Sequence, residues 1–404
     1  MQEKRFDGKR ILIWGYGREG KSTENWLKKY SKPASLDVFE GDRKDIDEGA
    51  YDYIFKSPGI VLNEPFDKDK YTSQTEVFLE EYRDRTVGIT GTKGKSTTST
   101  LLYTVLSACS DRQVLLLGNI GKPCLDHYED MKGDSIAVYE MSCHQLRHVK
   151  VSPHIGVFLN LYEDHLDYYG TMDEYFKAKT HVALYQQNGD YYYHGDNVPK
   201  IETLSEDIEI SYDEVMNKHP YKLSLEGEHN QFNAEFVYSI ACDRFGCDPD
   251  KVKEVMSNFT GLAHRLEYVG TYDGVRFLDD SISTIPEAAI SALESVKDAA
   301  TILLGGMDRG IDYDKLTDYI PRHPKYNYIF MYESGKRIYE TEGIGSLDNT
   351  YYVEDLEKAV RLAKDVTDSG AVILSPAAAS YGYFKNFEER GDVFKELAKL
   401  PAHQ

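Results

Sequence analysis

Short apolar runs that close on a glycine or a polar residue alternate along this chain with stretches of helical periodicity, and that alternation predicts parallel α/β sheets. Three series of such runs separate. The first opens at Arg10-Ile11-Leu12-Ile13-Trp14, continues through Leu36-Asp37-Val38-Phe39-Glu40 and Tyr53-Ile54-Phe55-Lys56-Ser57-Pro58-Gly59, and ends near Arg85. The second opens at Thr86 and includes Ile136-Ala137-Val138-Tyr139-Glu140 and Ile155-Gly156-Val157-Phe158-Leu159-Asn160. The third opens near His264, with strands at Val275-Arg276-Phe277-Leu278, Thr301-Ile302-Leu303-Leu304 and Ala371-Val372-Ile373-Leu374. A chain of 404 residues exceeds what one core accommodates, and the three series predict domains over residues 1–85, 86–263 and 264–404. Between Gln186 and Lys222 the periodicity fades into a polar, tyrosine-rich stretch that predicts short antiparallel strands with loops.

The segment Val87-Gly88-Ile89-Thr90-Gly91-Thr92-Lys93-Gly94-Lys95-Ser96-Thr97-Thr98 predicts a buried strand, a glycine turn and the start of a helix. That order suits phosphate binding. Glycines let successive N–H groups point inward, the helix start adds positive potential, Lys95 reaches phosphates, and the Ser96 or Thr97 hydroxyl holds Mg²⁺. The strict phosphate-loop spacing is missed, since Ile89 occupies the place of the first glycine. Leu101, Leu102, Val105 and Leu106 share one face of the following helix, which supports strand, turn and helix as one unit.

Composition narrows the function. A formal charge of −21 argues against nonspecific binding to nucleic acid or anionic membrane, so an anionic substrate must be met by local basic groups. Cys109, Cys124, Cys143, Cys242 and Cys247 are odd in number and lack metal-type spacing, which fits a reducing cytoplasm. No apolar run reaches membrane-spanning length, and the expectation is a soluble cytoplasmic chain.

Ligands of open α/β sheets sit beyond the carboxyl ends of strands, and several polar residues fall there. Glu140 ends one predicted strand and suits Mg²⁺ beside a phosphate loop, or serves as a solvated helix cap. His165, in Glu163-Asp164-His165, is a metal ligand, a phosphate contact or a structural histidine. Lys177 and Lys179 read by pattern as surface lysines. Gly227-Glu228-His229-Asn230-Gln231-Phe232-Asn233 opens a helix whose amides at Asn230 and Asn233 suit a purine or phosphate, or a cap. Gly15-Tyr16-Gly17-Arg18-Glu19-Gly20 follows a strand, with Glu40 ending the next, and this matches a dinucleotide fingerprint. A nicotinamide dehydrogenase is the rival reading. Such an enzyme has no use for the second glycine turn at Gly91, whereas a ligase acting on a nucleotide-linked substrate needs two nucleotide sites.

Together these residues resemble the Mur ligase family over nearly the whole chain. Thr90-Gly91-Thr92-Lys93-Gly94-Lys95-Ser96-Thr97 is similar to its shifted ATP loop, and Asn160-Leu161-Tyr162-Glu163-Asp164-His165-Leu166-Asp167, Glu228-His229-Asn230 and His264-Arg265 to its other ATP-site motifs. Leu374-Ser375-Pro376-Ala377-Ala378-Ala379-Ser380, with Phe384-Lys385-Asn386-Phe387-Glu388-Glu389-Arg390-Gly391, resembles the glutamate-adding branch. So do Leu117-Gly118-Asn119-Ile120-Gly121 and Glu140-Met141-Ser142-Cys143-His144-Gln145-Leu146. The Asp-Asn-Pro-Arg motif of the diaminopimelate-adding relative and the His-His-Pro motif of the alanine-adding one are absent.

The resemblance implies three α/β domains: a Rossmann-like one binding the UDP-sugar, a central ATPase-like parallel sheet, and a Rossmann-like one that binds glutamate and closes on ATP. The implied reaction adds D- or L-glutamate to UDP-N-acetylmuramoyl-L-alanine through an acyl phosphate, using ATP and two Mg²⁺ ions, in a cytoplasmic monomer that serves cell-wall synthesis. Lys95, His165 and Lys179 would be catalytic, Lys179 as a carbamate. Gly91, Thr92, Lys93, Gly94, Ser96, Thr97, Asn230, Asn233, Arg265 and Asp280 would bind ATP. Ser96, Thr97, Glu140, His165 and carbamylated Lys179 would hold metal. Gly15, Tyr16, Gly17, Arg18, Glu40, Ser57, Asn119, Ser142 and Gln145 would line the UDP-substrate side, and Thr284, Arg309, Ser380 and Phe387 the glutamate side.

The chain departs from the branch at Gly305-Gly306-Met307-Asp308-Arg309, which offers Arg309 in a different frame, at Tyr381-Gly382-Tyr383 after Ser380, and in one further segment. Where its members read Asp-Ser-Lys-Ala-Thr-Asn, this chain has Asp280-Ser281-Ile282-Ser283-Thr284-Ile285, and a set that adds L-glutamate has a similar segment. A folylpolyglutamate synthase-like ligase shares the ATP loop, but such chains do not begin with a nucleotide-sugar domain.

Overall fold

The computed structural model describes residues 2–63, 65–118, 122–225, 229–261 and 263–401. The described strands form three sheets. In the first, β1 (Arg10–Trp14), β2 (Ser35–Phe39), β3 (Tyr53–Lys56) and β4 (Tyr71–Thr72) run parallel in the order β2-β1-β3-β4. The second contains β5 (Thr86–Thr90), β6 (Val114–Gly118), β7 (Ile136–Glu140), β8 (Ile155–Phe158), β9 (Tyr191–Gly195) and β10 (Glu206–Ile210), ordered β10-β9-β8-β5-β7-β6. All its pairings are parallel. This corrects the expectation of antiparallel strands after residue 186: β9 and β10 extend the central sheet. Tyr192 and Tyr193 are buried on opposite faces of β9, so the tyrosine-rich run supplies core, which its polar tips conceal in the sequence.

The third sheet holds β11 (Glu267–Tyr272), β12 (Val275–Asp279), β13 (Ala299–Leu304), β14 (Asn327–Met331), β15 (Thr350–Val353) and β16 (Gly370–Leu374), ordered β11-β12-β16-β13-β14-β15. Only β11 is antiparallel to its neighbour, through a turn at Asp273 (φ 53°) and Gly274 (φ 83°) that suits a tight hairpin.

The first two sheets belong to one compact unit, residues 1–259, and the third to another, residues 260–404. The first unit is continuous because one apolar cluster joins Phe6, Ile11, Trp26, Phe55 and Phe78 to Leu115, Leu117, Tyr139 and Phe158 of the central sheet. Thr75 and Tyr139 hydroxyls meet at 2.9 Å within it. On the other face, Leu101, Leu102, Val105 and Leu106 of helix Lys95–Cys109 pack with Val87, Ile89 and Val138, which seats the glycine turn at the carboxyl edge of β5. All five cysteines are free. Among the described residues no helix is long and apolar enough to cross a membrane.

Candidate active site

The turn after β5 is set by two glycines and held from a neighbouring strand. Gly91 (φ 156°) and Gly94 (φ 83°) take positive φ, and a Cβ on Gly94 would lie 2.5 Å from Asn233 Oδ1. Asn233, in the first turn of helix His229–Phe245, donates to Asn230 Oδ1 at 3.0 Å, so these buried amides pack against the turn itself. Asn160 clamps the turn from beyond β8. Its Oδ1 accepts from Lys93 N at 2.9 Å, its Nδ2 donates to Lys93 O at 3.0 Å, and its carbonyl accepts from Thr92 N. The Thr92 hydroxyl donates to Tyr162 O and accepts from Tyr162 N and from Tyr175 OH.

Two lysines converge on this turn. Lys95 Nζ donates to Gly91 O and Thr92 O, each at 2.9 Å, and Lys179 Nζ donates to the same Gly91 O at 2.7 Å. Lys179 is buried within helix Met172–Thr180, its amine over the Tyr175 ring at 4.8 Å. Burial, with Lys95 nearby, pushes its pKa down to about 7, so a large share is a neutral amine near neutral pH. The pattern-based reading of Lys179 as a surface lysine is thus corrected, while Lys177 is exposed and pairs with Glu174 at 2.8 Å. That helix ends at Thr180.

Glu140 ends β7 opposite Ile89 of β5 and is buried. The half-buried Ser96 and Thr97 open the adjoining helix. His165 is exposed at φ 53° before the short helix Leu166–Tyr169, with its ring 5.2 Å from that of His144 and 6.0 Å from Tyr175. A buried carboxylate and two hydroxyls at a phosphate-type turn fit a hard divalent cation, and an imidazole extends the set.

The turn after β1 is built differently. Gly15 has φ 92°, and its carbonyl accepts from Ser57 Oγ at 2.8 Å. Tyr16 donates to Glu24 at 2.7 Å, Gly17 and Arg18 are exposed, and Glu40 is exposed just past β2. Ser142 and Gln145 make a reciprocal capping box on helix Cys143–Leu146, and Gln145 Nε2 donates to Glu19 Oε1 at 2.7 Å. Asn119 lies outside the described residues.

In the second unit Asp280 is buried just past β12, accepting from Leu266 N (3.2 Å), Ser283 Oγ (2.5 Å) and Ser375 Oγ (2.6 Å). Burial raises its pKa to about 6. Arg265 stands between His264 (φ 61°) and Leu266 (φ 46°), and His264 Nδ1 meets Asp279 Oδ2 at 2.7 Å. Thr284 and Arg309 are exposed, Ser380 is buried, and Phe387 opens helix Phe387–Lys399. Met307 N donates to Ala379 O at 2.9 Å, which brings the Arg309 and Ser380 loops side by side.

Motif reading missed two buried cations. Arg390 donates from Nε to Ser281 Oγ, from Nη1 to Ala378 O and from Nη2 to Ser281 O, so it ties the loop after β12 to the loop after β16. Lys56 donates to Ser57 O and Ile60 O at the end of β3. The strand-end rule offered a signal that could have found Lys56, the last residue of its strand.

Residues 89–197 match the family description "Mur ligase middle domain". The chain is 33% identical over 97% of its length to a UDP-N-acetylmuramoylalanine–D-glutamate ligase of Aquifex aeolicus, 99% of which is covered. It is 32% identical over 85% of its length to the enzyme of that name from a Geobacillus species, 82% of which is covered. Among solved structures, it is similar to MurC of Thermotoga maritima (TM-score 0.55, 15% identity, covering 96% of this chain and 98% of that one). MurF of the same organism, in complex with ADP, matches with TM-score 0.54 and 15% identity, covering 96% of this chain and 94% of that one.

Proposed function

The chain belongs to the Mur ligase family, and on that premise we propose that it joins glutamate to UDP-N-acetylmuramoyl-L-alanine in an ATP-dependent, ADP-forming reaction of peptidoglycan precursor synthesis. The observation that carries this reading is the convergence of Lys95 and Lys179 on one carbonyl of the glycine turn, beside the buried Glu140. The chemistry follows from those positions. A carboxylate of the sugar-linked peptide attacks the γ-phosphorus of ATP, giving an acyl phosphate and ADP; the glutamate amine then displaces phosphate and leaves an amide.

Lys95 exchanges its two carbonyl partners for phosphate oxygens and neutralises charge in the transition state. Ser96, Thr97, Glu140 and His165 would hold Mg²⁺, together with Lys179 carried as a carbamate. Bound Mg²⁺ supplies charge neutralisation on the phosphates. The depressed pKa of Lys179 supports carbamate formation, since the neutral amine is the form that adds CO₂. Gly91, Thr92, Lys93 and Gly94 cradle phosphates, with Asn230 and Asn233 behind the turn. We assign Arg265 to phosphate and Asp280 to ribose. The turn at Gly15, with Ser57, Ser142 and Gln145, takes the UDP-sugar side.

Thr284, Arg309, Ser380 and Phe387 are assigned to glutamate. The named relatives act with D-glutamate; Ile282 and Ile285, where the branch has a lysine and an asparagine, favour L-glutamate as the second reading. The experiment measures phosphate release from ATP with UDP-N-acetylmuramoyl-L-alanine and each enantiomer in turn. Release with one enantiomer is expected and fixes the configuration; no release with either ends the reading. A monomer in the cytoplasm completes the proposal.

A further inference from the structure

A cluster of cationic and imidazole side chains lies at the carboxyl ends of β3 and β7, outside the phosphate turn, and the reaction described above does not use it. Lys56 ends β3, and its Nζ donates to the carbonyls of Ser57, Pro58 and Ile60. Arg147 closes the short helix Cys143–Leu146 that follows β7, with its guanidinium over Tyr168 at 5.6 Å and Tyr169 at 5.4 Å. Among the described residues its Nη1 is buried without a hydrogen-bond partner. Neither Lys56 nor Arg147 forms an ion pair among the described residues.

Tyr168 joins the cluster: its hydroxyl donates to Ile60 O at 3.2 Å, the carbonyl that also accepts from Lys56, and its ring lies 4.4 Å from His144. Glu19, which acts on Lys56 through its charge, accepts from Gln145 Nε2 at 2.7 Å. Burial first, then the neighbouring Arg147, holds Lys56 below its ordinary proton affinity, with Glu19 acting in the opposite direction.

In a chain of net charge −21, two unpaired cations gathered at strand ends are costly unless an anion completes them. Their place narrows which anion. Ser57, beside Lys56, bonds the Gly15 turn, and His144 contacts the His165 ring next to the phosphate turn. The cluster therefore spans the ground between the two glycine turns, where a nucleotide sugar must extend toward ATP.

We propose that Arg147, with Lys56, forms an anion-binding subsite for the sugar-nucleotide substrate, taking an oxyanion of its diphosphate or the carboxylate at its peptide end. This rests on the function proposed above. Arg147 supplies the buried Nη1 and a planar fork that suits either anion, and the two tyrosines fix the plane of that fork.

Calorimetric titration of the full chain tests this with UDP-N-acetylmuramoyl-L-alanine and with UDP-N-acetylglucosamine, which keeps the diphosphate and lacks the carboxylate. Arg147→Gln should weaken the first ligand by about tenfold or more, with Arg147→Lys between it and the parent. ATP affinity and the circular-dichroism melting curve should stay unchanged. An equal loss for both ligands assigns the diphosphate; a loss confined to the first assigns the carboxylate. Binding by Arg147→Gln within twofold of the parent, or a loss that ATP shares, overturns the subsite. A parent chain that binds neither nucleotide sugar instead sinks the proposed function.

Discussion

The turns after β1 and after β5 share one local plan, a buried parallel strand, a glycine at positive φ and a helix start, yet they are equipped for different tasks. The β5 turn receives side chains from three other elements: Asn160 from beyond β8, Lys179 from a later helix and Asn233 from a helix more than a hundred residues on. The β1 turn receives the Ser57 hydroxyl, and its Gly17 and Arg18 are exposed. Each has a buried lysine nearby, but Lys179 points at the turn's own carbonyl while Lys56 caps the segment after β3. A glycine turn alone provides anion affinity; phosphoryl transfer needs charges and clamps fixed around it by the rest of the sheet. The difference lies in what converges, not in the turn.

The sharpest break of the comparison is Lys95→Ala. Removing the lysine proposed to neutralise charge in the transition state should lower substrate-dependent phosphate release by about a thousandfold, since a lost charge-stabilising donor costs roughly 3–4 kcal/mol. A variant that keeps the parent's rate would place phosphoryl transfer elsewhere.

Gly94→Ala comes next. With φ 83° and Asn233 Oδ1 2.5 Å from the new Cβ, strain and a clash should together cost about 2 kcal/mol in urea unfolding, with ATP affinity falling in step. Asn160→Ala removes the clamp on Lys93 but leaves the turn's glycines, so an increase of about tenfold in KM for ATP is expected with little change in unfolding midpoint. Equal KM values would show that the turn holds itself.

Lys56→Met probes the other turn through pH. Burial, then Arg147, pushes Lys56 from 10.5 down to about 8. Between those values the unfolded chain binds more protons than the folded one, so this group makes stability rise with pH across that window, and its penalty is fully present below about 8. The variant should show a flatter dependence of urea midpoint on pH from about 8 to 10.5; parallel curves would refute the shift. The smallest effect belongs to Gly17→Ala, at a φ of −70° with open space around the new Cβ, where stability should stay within about 0.5 kcal/mol.

Much of this was legible beforehand because its cause is local. A strand that must be buried on both faces writes itself as an apolar run, and a turn needing positive φ writes itself as glycine, so β1, β5, β7, β8, β12 and β16 and both turns stand out in the chain. Helix Lys95–Cys109 was equally clear, from the spacing of four apolar residues. The stretch after residue 186 failed the same test: its tyrosines carry hydroxyls that read as polar, while their rings fill the core of two parallel strands.

Sequence by itself determined the α/β class, the two glycine turns and the lysine that opens the helix after the second, because those depend on neighbours along the chain. Only the tertiary structure decided that Lys179 is buried and drawn to Gly91, that Arg390 ties two distant loops, and that Lys56 and Arg147 share one patch. The physical reason is that burial and charge proximity are properties of packing: a lysine in a helix looks the same in sequence whether it faces water or a phosphate turn, until the sheet beneath it is folded.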